Sequence, residues 1–176
     1  DEDLFIVLNH PNAEFDYSVH YHPEYEINLV MNTYGERIVG DSIEVFKDID
    51  LVMIGPNLSH KWCGKVVDGN HVITIQFSES FLYLPILNKR LFAPIKKLLN
   101  DSKQGVCFSR DAQLKIKDKI IELTRLQGFQ TALAFFSLLY DLAISDRYTL
   151  VSNKYDTRDT VLASKSRRIA KVCSYV

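Results

Sequence analysis

Apolar and polar residues alternate along the first 77 residues in the manner of short β-strands. From Tyr25 to Met31 every second residue is apolar and the residues between are mostly polar, which is the period of a half-buried strand. Further short apolar segments predict strands over 36–39, 42–46, 51–54 and 71–77. Because no helical pattern lies between these strands, we expect an antiparallel sandwich or barrel.

Turn-forming residues separate the predicted strands. They are Tyr34-Gly35, Gly40-Asp41, Lys47-Asp48, Gly55-Pro56-Asn57 and Asp68-Gly69-Asn70. Each group is expected to reverse the chain between two neighbouring strands.

Beyond Phe77 the apolar residues follow a helical period. Residues 78–87 indicate a strand end that leads into a short helix. Pro94 favours the first turn of a helix that runs to about Asn100, because a residue there needs no partner for an N–H group.

The next helix is predicted from its end residues and its apolar stripe. Ser109 is a candidate N-cap, and Gly128 is expected to end the helix. The inner face would carry Ile116, Ile120 and Leu123.

The segment 129–144 is apolar around most of a helical circumference. Its apolar positions include Leu133, Phe135, Phe136, Leu138, Leu139, Tyr140, Leu142 and Ile144. Such a helix must be buried on more than one side. Either the barrel and a neighbouring helix cover it, or a second subunit does.

The chain changes character again after this helix. Residues 147–164 are polar and nearly free of periodicity, which is typical of a linker. From 165 a new helical pattern begins, with Ile169, Val172 and Val176 on its apolar side. A helix of about a dozen residues is marginal alone, so we expect it to open a further domain.

The composition is that of a globular protein, with 47% hydrophobic and 24% charged residues among 176. A formal net charge of −1 argues against a surface that grips phosphate over most of its extent. Basic residues do cluster late in the chain, at Lys165, Arg167, Arg168 and Lys171.

Two further features of the sequence favour a cytoplasmic protein that does not span a membrane. The three cysteines form no CxxC pair, which argues against a zinc site or a disulfide framework, and free thiols suit a reducing compartment. No apolar run approaches the roughly 20 residues that span a bilayer.

The residues with the most chemistry begin at His20. His20 and His22 lie two positions apart and therefore point to one face of a strand. Glu26 and His60 could face the same cavity, and three imidazoles with a carboxylate form a candidate site for a divalent transition metal. Alternatively, these side chains are polar wall residues, hydrogen-bonded to their neighbours or to water.

Trp62 and Gln76 also have two interpretations each. Trp62 is either a core residue or a surface on which a sugar or aromatic effector stacks. If Gln76 faces inward together with Val72 and Thr74, its amide needs partners that an effector could supply. If His71, Ile73 and Ile75 face inward instead, the strand contributes only core. We expect His10 and Arg37 at the surface.

Taken in order, these motifs resemble a known family. HxHxxxE from His20, then Gly35 and Gly40, then the PxxxH that ends at His60, resemble the paired motifs of the cupin superfamily. The segments 22–27, 37–41 and 50–62 resemble, more specifically, the sensor domains of AraC/XylS-family regulators. The resemblance continues through 75–77, 105–109, 142–145 and 166–176, the last being similar to the opening helix of that family's helix-turn-helix domain.

The resemblance implies an α+β fold. A cupin-like double-stranded β-helix barrel over residues 1–78 would be followed by a helical dimerisation segment over 79–146, a linker over 147–164 and the start of a DNA-binding domain over 165–176. It favours the arrangement in which Gln76 faces inward. The residues expected to line the effector site, without a metal or other cofactor, are His20, His22, Glu26, His60, Trp62 and Gln76.

The resemblance also implies a function and partners. A cytoplasmic homodimer would bind a small molecule, sugar-like or another nutrient, and would thereby control DNA binding by the C-terminal domain. A metal-dependent cupin enzyme, such as a dioxygenase or isomerase, would instead use the three histidines and Glu26 as ligands. We expect no enzyme, because such an enzyme needs neither the helical block nor the basic terminal helix. A purely structural barrel would keep the dimer and bind no ligand.

Overall fold

The sheet is built around two long strands joined by a tight hairpin. The protein is described here by a computed structural model that covers residues 4–152. Its strands are β1 (Ile6–Pro11), β2 (Glu24–Val39), β3 (Ser42–Ile54), β4 (His60–Gly64), β5 (His71–Ser78), β6 (Val106–Phe108) and β7 (Arg147–Thr149). β2 and β3 pair antiparallel about a turn at Gly40-Asp41, where Gly40 has a φ of 56°. This turn was predicted.

Two other predicted turns are wrong, because β2 and β3 run straight through them. Tyr34-Gly35 lies inside β2 and Lys47-Asp48 inside β3. The pairing register shifts between Met31 and Tyr34, and the left-handed residues Asn32 and Asp48 lie at the shift. Asn and Asp tolerate that conformation better than other non-glycine residues. These polar residues therefore mark an irregularity that bends a long hairpin and does not reverse the chain.

Gly35 serves close strand packing and not a turn. An added Cβ at this position would lie 2.1 Å from the carbonyl oxygen of Cys63 on β4. β4 pairs with the second half of β2, opposite residues from Gly35 to Val39. The glycine therefore allows the two backbones to approach each other.

The sheet takes in more of the chain than its first 78 residues. Its hydrogen-bonded order is β1-β5-β2-β3-β6-β7, with β4 paired to β2. β6 lies within the predicted helical segment, and β7 lies within the predicted linker. Among the described strands this path is open, with β1 and β7 at its ends. The α+β class is confirmed, whereas the finer prediction of a cupin-like barrel is not.

Three α-helices cover one side of the sheet. They are α1 (Ala93–Asp101), α2 (Arg110–Leu123) and α3 (Phe129–Ile144), and two short 3-10 helices, Glu79–Tyr83 and Pro85–Asn88, occupy the predicted strand exit. Pro94 lies in the first turn of α1, as predicted. The predicted cap of α2 is also present, since the Ser109 hydroxyl accepts a hydrogen bond of 3.3 Å from the backbone N–H of Ala112.

Gly128 has a different position from the one predicted. α2 ends at Leu123, and a short connection separates it from Gly128. Gly128 has a φ of 61° and directly precedes α3. The glycine therefore starts the last helix and does not stop the one before it.

The central strands of the sheet are buried on both faces. One hydrophobic cluster packs β2, β3 and β5 against the helices. Its members include Ile27, Leu29, Leu51, Ile73, Ile75, Phe135, Leu138, Leu139 and Leu142. A second cluster lies on the opposite face and includes Val30, Val52, Ile54, Leu58 and Trp62. Both faces of β5 are therefore covered, because its alternate residues belong to different layers.

α3 buries only one of its apolar sides within the described chain. Phe135, Leu138, Leu139 and Leu142 are inside. The other side keeps four large residues exposed, namely Phe129 at 76%, Leu133 at 50%, Tyr140 at 46% and Ile144 at 60%. We call these four residues the α3 outer face.

Two further expectations concern cysteines and membranes. Cys107 is free and buried, but Cys63 is disulfide-bonded, so the expectation of free thiols throughout is wrong at Cys63.

No helix within residues 4–152 is long and apolar enough to cross a membrane.

Candidate functional site

A cavity of about 450 Å³ opens on the side of the sheet away from the helices. β1, β2, β4 and β5 line it together with the segment that connects β1 to β2. Its apolar wall is Leu8, Ala13, Phe15, Trp62 and Val72. Its polar lining is His10, Glu14, Tyr17, Ser18, His20, Glu26, Asn28, His60, Thr74 and Gln76. An apolar pocket with a few convergent polar groups is the usual form of a small-molecule site.

Glu26 lies at the centre of the polar lining. Its Oε2 atom accepts hydrogen bonds from His22 Nε2 at 3.0 Å and from Gln76 Nε2 at 2.9 Å. Its Oε1 atom lies 3.7 Å from His60 Nε2. Burial acts to raise the pKa of this carboxyl, but the hydrogen bonds and the neighbouring histidines lower the pKa below its ordinary value. Glu26 is therefore ionised at neutral pH.

Backbone contacts bring the distant His60 close to His20, which lies in the segment between β1 and β2. The N–H of His60 donates to the carbonyl of His20 at 2.9 Å, and the N–H of His20 donates back at 3.2 Å. The N–H of Asn57 donates to the carbonyl of His22 at 2.8 Å, which ties the Gly55-Pro56-Asn57 loop to the same segment. As a result, the His60 ring lies 4.4 Å from the His20 ring and 5.1 Å from the His22 ring, measured between centroids.

The pKa values of two of these histidines are shifted in opposite directions. Burial lowers the pKa of His60, and its Nδ1 lies 2.8 Å from the carbonyl oxygen of Leu58. Nδ1 therefore carries the proton and Nε2 a lone pair. His60 Nε2 is buried and has no hydrogen-bond partner among the described residues. The hydrogen bond to Glu26 raises the pKa of His22 against the opposing effect of burial.

The three histidines can also offer nitrogen ligands to a metal ion. His20, His22 and His60 each have a ring nitrogen within 4.8 Å of the others. Imidazole ligands suit divalent transition metals. However, His22 Nε2 already contacts Glu26, and His20 Nδ1 lies 3.1 Å from the carbonyl of Ser18. The ligand types fit a metal, and binding through either of these two nitrogens would break an existing contact.

β5 has the inward parity that the family resemblance favoured. Val72, Thr74 and Gln76 line the cavity, and the residues between them pack toward the helices. The Thr74 hydroxyl donates to Asn28 Oδ1 at 2.9 Å. Because Gln76 donates to Glu26, the protein itself supplies a partner that was expected from an effector.

Trp62 belongs both to the core and to the cavity wall. The indole is 1% exposed, and its Nε1–H donates to Asp50 Oδ2 at 2.7 Å. The residue also lines the cavity. The two alternatives for Trp62 are therefore not exclusive.

Arg37 is not at the surface, and that expectation is wrong. Its guanidinium is 3% exposed and pairs with Asp50 and Glu44, and Nη1 lies 3.6 Å from the Cys107 sulfur. Tyr148 on β7 donates its hydroxyl to Glu44 at 2.9 Å. The opposite charges offset the burial of each group. His10, in contrast, is exposed as expected and lies at the cavity rim.

Several lining residues were missed in the sequence. Asn28 could have been found, because it lies two positions from Glu26 on β2 and thus shares its face. Phe15, Tyr17 and Ser18 lie in a segment without periodicity, so no pattern pointed to them. Burial, with the nearby charge of Glu26, raises the pKa of Tyr17 strongly.

Comparisons with known proteins give only distant likenesses. No protein-family model matches the chain, and no curated protein matches it. Among solved structures, it is similar to ToxT from Vibrio cholerae, at 11% identity and a TM-score of 0.46, over 98% of this chain and 70% of ToxT. The chain is also similar to apo ToxT K231A from Vibrio cholerae, at 12% identity and a TM-score of 0.48, over 99% of this chain and 70% of ToxT. For ToxT bound to (E)-4-(8-methylnaphthalen-1-yl)but-3-enoic acid, the identity is 15% and the TM-score is 0.44, over 98% of this chain and 71% of ToxT. At these values the likeness assigns no family or function.

Proposed function

We propose that this protein is the effector-sensing and dimerisation domain of an AraC-type bacterial transcription regulator. The observation that carries the proposal is the division of the sheet into two faces. One face holds a small-molecule cavity with Glu26 and His60 at its centre, and the other holds a helical layer with an exposed apolar side. The sequence resemblance to AraC/XylS sensors supports the same assignment.

In the proposed role the cavity binds a small-molecule effector and the helices bind a second copy of the chain. The effector would contact His20, His22, Glu26, His60, Trp62 and Gln76, all of which lie in the cavity or its polar cluster. The α3 outer face would pack against its counterpart about a two-fold axis, the commonest symmetry of homodimers. A C-terminal domain would bind DNA in the cytoplasm. The residues that prompted this last step, 165–176, lie outside the described part of the chain.

A thermal-shift screen tests effector binding directly. The panel consists of sugars, sugar acids and small aromatic compounds, added to protein that was dialysed against a chelator. A ligand at 100-fold its Kd stabilises the folded state by about 2.7 kcal/mol. The effect should be lost in His60→Ala and kept in His71→Ala, because His71 lies on β5 outside the cavity lining. A panel in which no compound raises the melting temperature, at concentrations up to the millimolar range, contradicts the proposal.

The second candidate function is a metal-dependent enzyme, favoured by the three-histidine cluster. We propose that metal is required neither for folding nor for sensing. Elemental analysis of protein purified without chelator separates the two functions. Near-stoichiometric iron, manganese, nickel or zinc, lost in His60→Ala, would favour the enzyme.

A further inference from the structure

At the centre of the cavity, where His60 faces Glu26, the free hydrogen-bonding capacity is that of an acceptor. We propose that the site selects a ligand with an uncharged or cationic hydrogen-bond donor, such as a hydroxyl or ammonium group, on a compact apolar body, and that it rejects carboxylates. This inference rests on the proposed function, because it specifies the ligand class of the same cavity.

The first support is a pair of acceptors that face each other. His60 Nε2 and Glu26 Oε1 lie 3.7 Å apart. The contact of His60 Nδ1 with the carbonyl of Leu58 leaves a lone pair on Nε2. The Glu26 carboxylate accepts two hydrogen bonds at Oε2 and presents Oε1 as a further acceptor. Two acceptors do not bond to each other, and a buried acceptor without a partner is costly. An ammonium group of a ligand beside the pair would donate to both atoms, and a hydroxyl would donate to one of them.

The second support is that the donors that contact Glu26 and Asn28 are already in use. Gln76 donates to Glu26, and the Thr74 hydroxyl donates to Asn28. His22 donates its Nε2–H to the same carboxylate. A ligand carboxylate would therefore compete with Glu26 for donors, whereas a hydroxyl or ammonium group needs only the free acceptors.

The third support is the charge of the lining. Glu14 and Glu26 are its two carboxylates, and no Lys or Arg among the described residues lines the cavity. The imidazole of His22 is paired with Glu26. A buried anion needs a cation or several donors close by. The described lining therefore offers no Lys or Arg charge to compensate a second buried carboxylate.

The body of the ligand follows from the opposite wall. Phe15 and Trp62 present aromatic surface, and Leu8, Ala13 and Val72 add aliphatic surface. Aromatic and aliphatic walls favour a flat or compact apolar body. The cavity volume of about 450 Å³ accommodates a small ligand of this kind.

Three probes with one body and different head groups test the inference: 2-phenylethanol, 2-phenylethylamine and phenylacetate. Trp62 is the only tryptophan of the chain and borders the cavity, so its fluorescence reports occupancy. Titrations use chelator-treated protein, so that no metal ion can occupy the acceptor pair. We expect the alcohol and the amine to bind at least about tenfold more tightly than phenylacetate, as one unpaired buried charge costs at least that much.

Variants then locate the selection. Glu26→Gln keeps the size of the side chain and removes its charge, so it should weaken the amine more than the alcohol and reduce the discrimination against phenylacetate. Glu122→Gln, on the exposed side of α2, is the matched control and should leave all three affinities unchanged. Should Glu26→Gln unfold the protein, His60→Gln provides the same test from the other acceptor.

Each outcome decides the inference. Phenylacetate or a sugar acid that binds in the cavity as tightly as the alcohol would overturn the donor selection and still support the proposed sensing function. Failure of all three probes to bind at millimolar concentration would overturn the ligand class. The thermal-shift screen would then decide separately whether the proposed function holds.

Discussion

At the scale of single residues, Arg37 shows how pairing allows charged groups into an apolar interior. Arg37 and Glu44 are equidistant from the Gly40-Asp41 turn, so the hairpin register places them opposite each other. Asp50 completes the set and also holds the indole N–H of Trp62. The pairing of Arg37 with Glu44 could have been predicted from the turn alone, because the register next to a tight turn follows from that turn.

Removal of Arg37 should therefore cost much more than removal of a surface cation. Arg37→Met leaves Asp50 buried without its main partner, and we expect the free energy of unfolding to fall by about 3–5 kcal/mol. Lys119→Met breaks an exposed pair with Asp141 between α2 and α3, and should cost less than about 1 kcal/mol. Urea denaturation of both variants measures the difference. Similar losses in the two variants would contradict a stabilising role for the buried pairs.

The His22–Glu26 pair gives the stability a defined pH dependence. The pKa of His22 is raised above 6.5 in the folded protein, mainly by the hydrogen bond to Glu26. Its contribution is therefore fully present below pH 6.5 and is lost as pH rises through the folded pKa. Glu26 has a lowered pKa, so its contribution is present above pH 4.5 and is lost at lower pH.

A substitution at His22 separates the alkaline limb from the acid limb. In His22→Gln the loss of stability relative to the unmodified protein should be largest below pH 6.5 and should shrink as pH rises. Urea denaturation at a series of pH values, with matched ionic strength, provides the measurement. A difference that grows with increasing pH would have the wrong sign for a protonated His22.

Among the helices and strands, those with a strong apolar period were predicted correctly from the sequence. The segment 129–144 was predicted as a helix, and α3 has the same bounds. The face of β5 that lines the cavity also followed from alternation and the resemblance. β6 and β7 were missed because three residues are too few to show a period. The two turns were wrong because Asn and Asp permit a bulge as readily as a reversal.

The cap of α2 is an element whose contribution can be measured. Ser109→Ala removes the acceptor for the Ala112 N–H, and we expect a loss of about 1 kcal/mol in the free energy of unfolding. Ser137→Ala, at an exposed position inside α3, is the matched control and should change stability by less than about 0.5 kcal/mol. An equal effect in the two variants would mean that the hydroxyl of Ser109 has no capping role.

At the scale of the whole molecule, the two faces of the sheet join the candidate site to the candidate interface. β5 contributes Thr74 and Gln76 to the cavity and Ile73 and Ile75 to the helical layer. If β5 shifts when a ligand binds, the packing of α3 would therefore change as well, because α3 contributes to the same hydrophobic cluster. The sequence predicted that the polar residues converge, but it could not show that the cavity and the helices share a strand.

Dimerisation through the α3 outer face and folding of the subunit depend on different sides of one helix. Leu133 is half exposed, whereas Leu138 is 1% exposed and packs in the core. Leu133→Glu should therefore leave a folded monomer, because its charge is solvated in the monomer and is buried only in the proposed dimer. Leu138→Glu should unfold the protein, since an unpaired charge in the core costs several kcal/mol. Light scattering at tens of micromolar gives the mass, and circular dichroism gives the fold. A concentration-independent monomer mass for the unmodified chain would show that α3 only covers the sheet, and that pairing of this chain requires something other than its outer face.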